Sequence, residues 1–230
     1  MKKEFDIVYE DNHIIAVNKP SGILVQGDKT GDEPLSEKVR DYIRVKYKKP
    51  GNVFCGVIHR IDRPVSGLVI LARTSKGLER MAKLFQEKKT KKTYYALVSS
   101  RPEQDEGRLI HWLVKDANKN FTHAHERQVK NSKISDLAYK LVGKVGNDYL
   151  LEINPGSGRS HQIRAQLAKM GCPIKGDLKY GYKNKNKDGR IHLHAYQQEF
   201  IHPIKKEPIK ITARLPQDPY WDQVRHLTGR

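Results

Sequence analysis

The 230-residue chain carries 44 Lys and Arg against 26 Asp and Glu, a formal net charge of +18, and has only two cysteines. The length suits one domain, residues 1–230, with a substantial core. Two cysteines exclude a disulfide framework, and no run approaches the roughly 18 apolar residues of a membrane span. The charge attracts polyanions, and the sequence shows no long basic amphipathic helix, so nucleic acid is favoured over an anionic membrane as partner.

The N-terminal stretch MKKEFDIVYEDN places acids directly after its lysines and has no apolar core, so it does not read as an export signal. A cytoplasmic protein is expected, with Cys55 and Cys172 as reduced thiols. Ile14 to Asn18 reads as a strand ended by a Lys19-Pro20-Ser21-Gly22 turn. A Gly-, Pro- and charge-rich loop follows, and then Leu35, Val39, Tyr42, Ile43 and Tyr47 recur at helical spacing. Leu68 to Ala72 is a continuous apolar run, as in a strand covered on both faces. Ser75 is expected to cap a helix whose inner face carries Leu78, Met81, Ala82 and Phe85.

After the basic run Lys88–Lys92, Tyr94 to Val98 reads as a strand. Ile134 to Val142 and Tyr149 to Asn154 form two more, joined across Gly143 to Asp148. Ser160 is expected to cap a helix bearing Ile163, Leu167 and Met170, with Gly171 ending it. Ile191, Leu193 and Ala195 alternate with His192, His194 and Tyr196 in another strand, and Ile209 to Ala213 reads as the last. Strands outnumber helices and several are linked as hairpins, which predicts an α+β fold with a mixed, mainly antiparallel sheet and flanking helices. The basic segment Lys183 to Arg190 can be a solvated tip or a phosphate contact.

Three segments carry candidate chemistry. In Val57 to Leu68, Asp62 lies between Arg60 and Arg63, just before a turn and a buried strand. Neighbouring arginines favour the ionised carboxylate, which suits a base or a nucleophile, although a surface Arg–Asp pair would share the pattern. In Asn154 to Arg164, a Gly-rich loop enters a helix beside Arg159 and Arg164. Amides at a helix start and bidentate guanidinium groups both suit anions, but the spacing is not that of a nucleotide-binding P-loop. In Lys92 to Val98, Tyr94 can stack on a base, shuttle a proton or simply pack. The pairs His123/His125 and His192/His194 supply too few ligands for a zinc site, so no metal is expected.

Taken in order, IIAVNKPSG, HRIDRPVSG, KTYYALV, GSGRSHQIR and LHAYQQEFIHP resemble the RluA-type RNA pseudouridine synthases across nearly the whole chain. HRIDRPVSG and GSGRSHQIR are the specific elements. Ile61 and Val65 depart from the usual Leu and Thr. The resemblance implies a pseudouridine synthase fold with a central active-site cleft, without the family's N-terminal ribosomal-protein-like RNA-binding module. It implies Asp62 as the essential aspartate, Tyr94 as the tyrosine stacked on the base, and Arg164 as the arginine paired with that aspartate. Arg60 matches the arginine that helps displace the uridine, and His59, Arg159, His161 and Gln162 in the same motifs are expected on the substrate. It further implies a monomeric isomerase without cofactor, acting on ribosomal RNA or else on transfer RNA. Two other readings use the same residues. One is a non-catalytic RNA-binding protein of this fold. The other is a nucleoside hydrolase, which would want a second carboxylate that does not stand out.

Overall fold

A computed structural model describes residues 5–186 and 188–228. In chain order the elements are β1 (Asp6–Glu10), β2 (Ile14–Lys19), α1 (Leu35–Lys46), β3 (Gly56–Val57), β4 (Ser66–Ala72), α2 (Ser75–Gln86), β5 (Thr90–Val98) and β6 (Glu106–Asp116). They continue with β7 (Phe121–His125), β8 (Lys133–Val145), β9 (Asp148–Pro155), α3 (Gln162–Lys169), a 3-10 turn at Leu178–Tyr180, β10 (Leu193–Ile201), β11 (Pro208–Thr212) and α4 (Pro219–Val224). These elements gather into two compact units. The first comprises the described part of Met1–Lys91 with Ala195–Arg214, and the second Lys92–His194 with the described part of Leu215–Arg230.

In the first unit the strand order is β1-β2-β4-β10-β11, with β3 also on β4. β1 on β2, β2 on β4 and β10 on β11 are antiparallel. Every residue of β4 is buried, which accounts for its unbroken apolar run. One core cluster joins Ile14 and Ala16 of β2, Leu68 and Ile70 of β4, Met81 of α2, and Phe200, Ile211 and Ala213, with Leu84 and Phe85 packed against it. The period-2 and period-3.6 patterns thus meet at one interface. α1 buries Leu35, Val39 and Ile43 and leaves its other face to charged side chains.

The second unit is a meander in the order β5-β9-β8-β6-β7, each neighbouring pair antiparallel. Leu97, Leu137, Leu150, Leu151, Ile153 and Leu167 are fully buried within it.

Local expectations fail at a few places for identifiable reasons. Thr74, not Ser75, caps α2: its hydroxyl accepts from the Gly77 amide at 3.0 Å. Ser160 does not cap α3; His161 occupies the N-cap in the left-handed region at φ 53, and no side chain caps the helix. The β8–β9 hairpin is longer than its alternation suggests, because Gly143, Lys144 and Val145 remain paired and only Gly146-Asn147 turns. β1, β3, β6, β7 and α4 have no counterpart in the sequence reading; β6 and β7 are partly exposed strands.

Candidate active site

The residues singled out from sequence divide between the two units. His59, Arg60 and Asp62 lie in the first; Tyr94, Arg159, His161, Gln162 and Arg164 lie in the second.

Asp62 opens a tight turn in which the Val65 amide donates to the Asp62 carbonyl at 3.1 Å. The turn is clasped by the Lys19–Gly22 turn at the end of β2. The Gly22 amide donates to the Arg63 carbonyl at 2.8 Å, and Arg63 Nε donates back to the Gly22 carbonyl at 2.9 Å. Lys19 is fully buried, and its Nζ donates to the carbonyls of Pro20 (2.9 Å), Ile23 (2.8 Å) and Arg63 (3.3 Å). Burial pushes the Lys19 ammonium down to about 7, while the Asp62 charge pulls it up and Arg63 pushes it down. KPSG and HRIDRPVSG are therefore two halves of one support. Sequence reasoning read Lys19 only as part of a turn, because a Lys at a strand end is ordinarily exposed and its burial left no sequence signal.

Gly67 shows why this motif ends in glycine. Its φ is +115, and a Cβ there would lie 2.3 Å from the Ala195 carbonyl oxygen, so any side chain would push β4 away from β10. The two arginines flanking Asp62 behave differently. Arg63 pairs with Asp32 at 2.7 Å, whereas Arg60 is exposed. The His59 ring stacks on Phe85 at 4.8 Å, and its Nε2 accepts from the Ile70 amide at 3.0 Å, so the imidazole ties the turn to β4.

In the second unit the loop before α3 is tied down by Gln162. Its Oε1 accepts from the Ser157 hydroxyl (2.7 Å) and the Arg159 amide (3.1 Å), and its Nε2 donates to the Asp136 carbonyl (2.9 Å). The side-chain amide is thus occupied in shaping the loop, while Arg159 remains exposed. Gly156 passes so close to Asp136 that a Cβ would lie 2.4 Å from its carboxylate.

Arg164, on the first turn of α3, is buried and grips Asp177 through two bonds, Nε to Oδ2 at 2.7 Å and Nη2 to Oδ1 at 2.8 Å. Its guanidinium sits over the Tyr180 ring, 4.9 Å from the centroid. The Tyr180 hydroxyl accepts from the Thr122 amide at 2.8 Å and lies 2.9 Å from His161 Nδ1. Burial raises the Tyr180 phenol, opposed by the Thr122 hydrogen bond and the Arg164 charge. A bidentate fork on an aromatic face fixes both the plane and the direction of the guanidinium. Asp177 and Tyr180 were missed from sequence because they follow α3 in an irregular stretch without periodicity. Tyr94 lies on β5 opposite Ile153 of β9 and is half-buried.

The remaining candidates take structural places. Both cysteines are free and buried, and burial pushes the Cys55 thiol up to about 12, far from a nucleophile's range. His192 and His194 are buried against Trp221. Among the described residues no group of three or more His, Cys, Asp or Glu could hold a metal ion. None of the described helices is long and apolar enough to cross a membrane.

This α+β architecture is the pseudouridine synthase fold. Residues 13–169 match the family described as RNA pseudouridylate synthase. The chain is 32% identical over 242 residues to tRNA pseudouridine synthase C of Vibrio parahaemolyticus, covering 96% of this chain and 94% of the relative. It is 36% identical over 222 residues to ribosomal large subunit pseudouridine synthase C of Buchnera aphidicola from Acyrthosiphon pisum, covering 92% of this chain and 68% of that one. The fold is shared with human RNA Pseudouridylate Synthase Domain Containing 4, with a TM-score of 0.78 at 20% identity over 96% of this chain and 92% of that chain. The chain belongs to the RNA pseudouridylate synthase family, and its activity is that of an RNA pseudouridine synthase, an isomerase.

Proposed function

We propose that residues 1–230 act as one catalytic domain, a cytoplasmic monomer that converts uridines of structured ribosomal RNA to pseudouridine with Asp62 as the essential carboxylate. The observation that carries this is the clasp of Lys19, Gly22 and Arg63, which fixes the Asp62 turn from both sides. In the reaction the bond from uracil N1 to the sugar's anomeric carbon breaks, C5 bonds to that carbon, C5 loses a proton and N1 gains one. Asp62 either attacks the anomeric carbon or takes a proton from the neighbouring sugar carbon. Arg60, exposed on the turn, would enter the base stack and help displace the uridine, whose extrusion costs a few kcal/mol. Tyr94 would stack on the extruded base and assist loss of the C5 proton, and Arg164 would supply a fixed positive charge. His59 and Gln162 would shape the surfaces that meet the substrate, with Arg159 and His161 beside its phosphates. No electrons and no phosphoryl group change hands, so the chemistry calls for no cofactor.

Transfer RNA is a second reading, favoured by the match over 94% of the length of a tRNA pseudouridine synthase. The test is to map pseudouridine across total RNA in cells with wild-type protein, without it, and with Asp62→Asn. Sites lost in both altered strains support the assignment, and their location decides between ribosomal and transfer RNA. Sites that persist with Asp62→Asn, or release of free uracil in vitro, refute it.

A further inference from the structure

We propose that one face of β7, formed by Phe121, His123 and His125, is a stacking platform for unpaired nucleotides of the RNA substrate. β7 stands at the end of the strand order in its unit, hydrogen-bonded to β6. Its side chains alternate, as strand geometry demands. Thr122 turns inward, where its amide donates to the Tyr180 hydroxyl and its own hydroxyl to the Ser160 carbonyl at 2.9 Å. Phe121, His123 and His125 share the opposite face, with His123 exposed and the other two half-buried.

Their rings form a continuous series. Tyr180 and Phe121 stack with centroids 4.5 Å apart and planes at 18°; Phe121 and His123 lie 4.7 Å apart, and His123 and His125 6.3 Å. At its inner end the series meets the Arg164 guanidinium over Tyr180. The planes of His123 and His125 are tilted by 37°, so the two rings offer adjacent surfaces against which bases can lie. No hydrogen bond or ion pair to another described residue engages either imidazole, so neither ring is committed to holding the strand.

The surrounding charge selects the occupant. Lys119, Arg127 and Lys130 are all exposed in the turns that flank β7. The acids among them are occupied: Asp116 accepts the Lys119 amide at 3.0 Å, and Glu126 pairs with Lys169 at 3.2 Å. Cations around flat rings suit single-stranded nucleic acid, whose phosphates meet the lysines while its bases stack regardless of sequence. The proposal rests on RNA being the substrate, but not on the role of any catalytic residue.

The test measures binding of a fluorescent 12-nucleotide oligouridylate and of an RNA duplex of equal length across a salt series. The His123→Ala/His125→Ala protein should bind the oligouridylate about five- to fifty-fold more weakly, with its slope of log Kd against log salt unchanged, because stacking releases no counterions. Duplex binding should hold. On a substrate RNA, KM should rise while kcat holds. His123→Phe/His125→Phe should restore affinity, since it retains the rings and discards their nitrogens. Wild-type affinity in the alanine protein overturns the proposal, as does failure of the phenylalanine protein to recover binding. A functional assignment that failed would instead show as no isomerisation by wild-type enzyme, with these binding results unaffected.

Discussion

Replacing Asp177 by Asn keeps the shape of the side chain but removes the charge that Arg164 grips. The two residues are 1% and 5% exposed and joined by two charge-assisted bonds, so the change takes a carboxylate away from a buried guanidinium. Losing one partner of such a pair costs about 3–5 kcal/mol, out of a total stability on the order of 5–15 kcal/mol. The Tyr180 face retains part of the cation's stabilisation, roughly 0.5–2 kcal/mol, which places the expected loss near ~3 kcal/mol. Urea unfolding followed by the fluorescence of Trp112 and Trp221 reads this as a lower midpoint with an unchanged slope. The double change Arg164→Met/Asp177→Leu should be less destabilised than Asp177→Asn alone, because the buried guanidinium and its carboxylate leave together. In assays on RNA, Asp177→Asn should lower kcat more than it raises KM. Arg164→Lys should do likewise, because an ammonium cannot rebuild the fork. If Asp177→Asn loses less than about 1 kcal/mol and turns over normally, the fork neither stabilises the protein nor positions Arg164.

Lys19 makes stability depend on pH. Below about 7 both folded and unfolded chains hold its proton, and between about 7 and 10.5 only the unfolded chain does. Stability should therefore rise with pH across that window by at most about 1.4 kcal/mol per unit, and Lys19→Met should flatten the rise; matched pH series of urea midpoints that run parallel would refute this. In the basic segment Lys183 to Arg190, Arg190 is already paired with Asp218 at 2.9 Å, leaving exposed Lys183 and Lys185 as the described residues able to reach phosphate. Lys183→Gln/Lys185→Gln should reduce the salt slope of RNA binding by about 0.7–0.9 for each phosphate no longer neutralised, and an unchanged slope would place the segment outside the footprint. Chelator-treated enzyme should still isomerise a short RNA stem-loop; activity that vanished and returned only with a stoichiometric transition metal would refute the cofactor-free chemistry.

Local periodicity and punctuation by themselves determined much of the architecture. The apolar run at Leu68 to Ala72, the helical spacing of Leu78, Met81 and Phe85, and the turn at Lys19 to Gly22 could be read without a structure, because each pattern reflects burial of neighbouring residues. HRIDRPVSG and GSGRSHQIR likewise marked where Asp62 and Arg164 stand. Several assignments required the tertiary structure, because their partners are remote in sequence or lie in stretches without a period. Lys19 became a buried ammonium only when the Arg63 carbonyl closed over it. Gly67 needed glycine because Ala195 passes against it. Arg164 acquired Asp177 and Tyr180 from an irregular segment after α3, and Arg63, which looked like a partner for Asp62, was drawn to Asp32. The half-exposed strands β6 and β7 went unread for the same reason: their pairing is set by neighbours across the sheet, and in β6 the adjacent apolar residues Leu109-Ile110 and Trp112-Leu113-Val114 hide the alternation that burial shows.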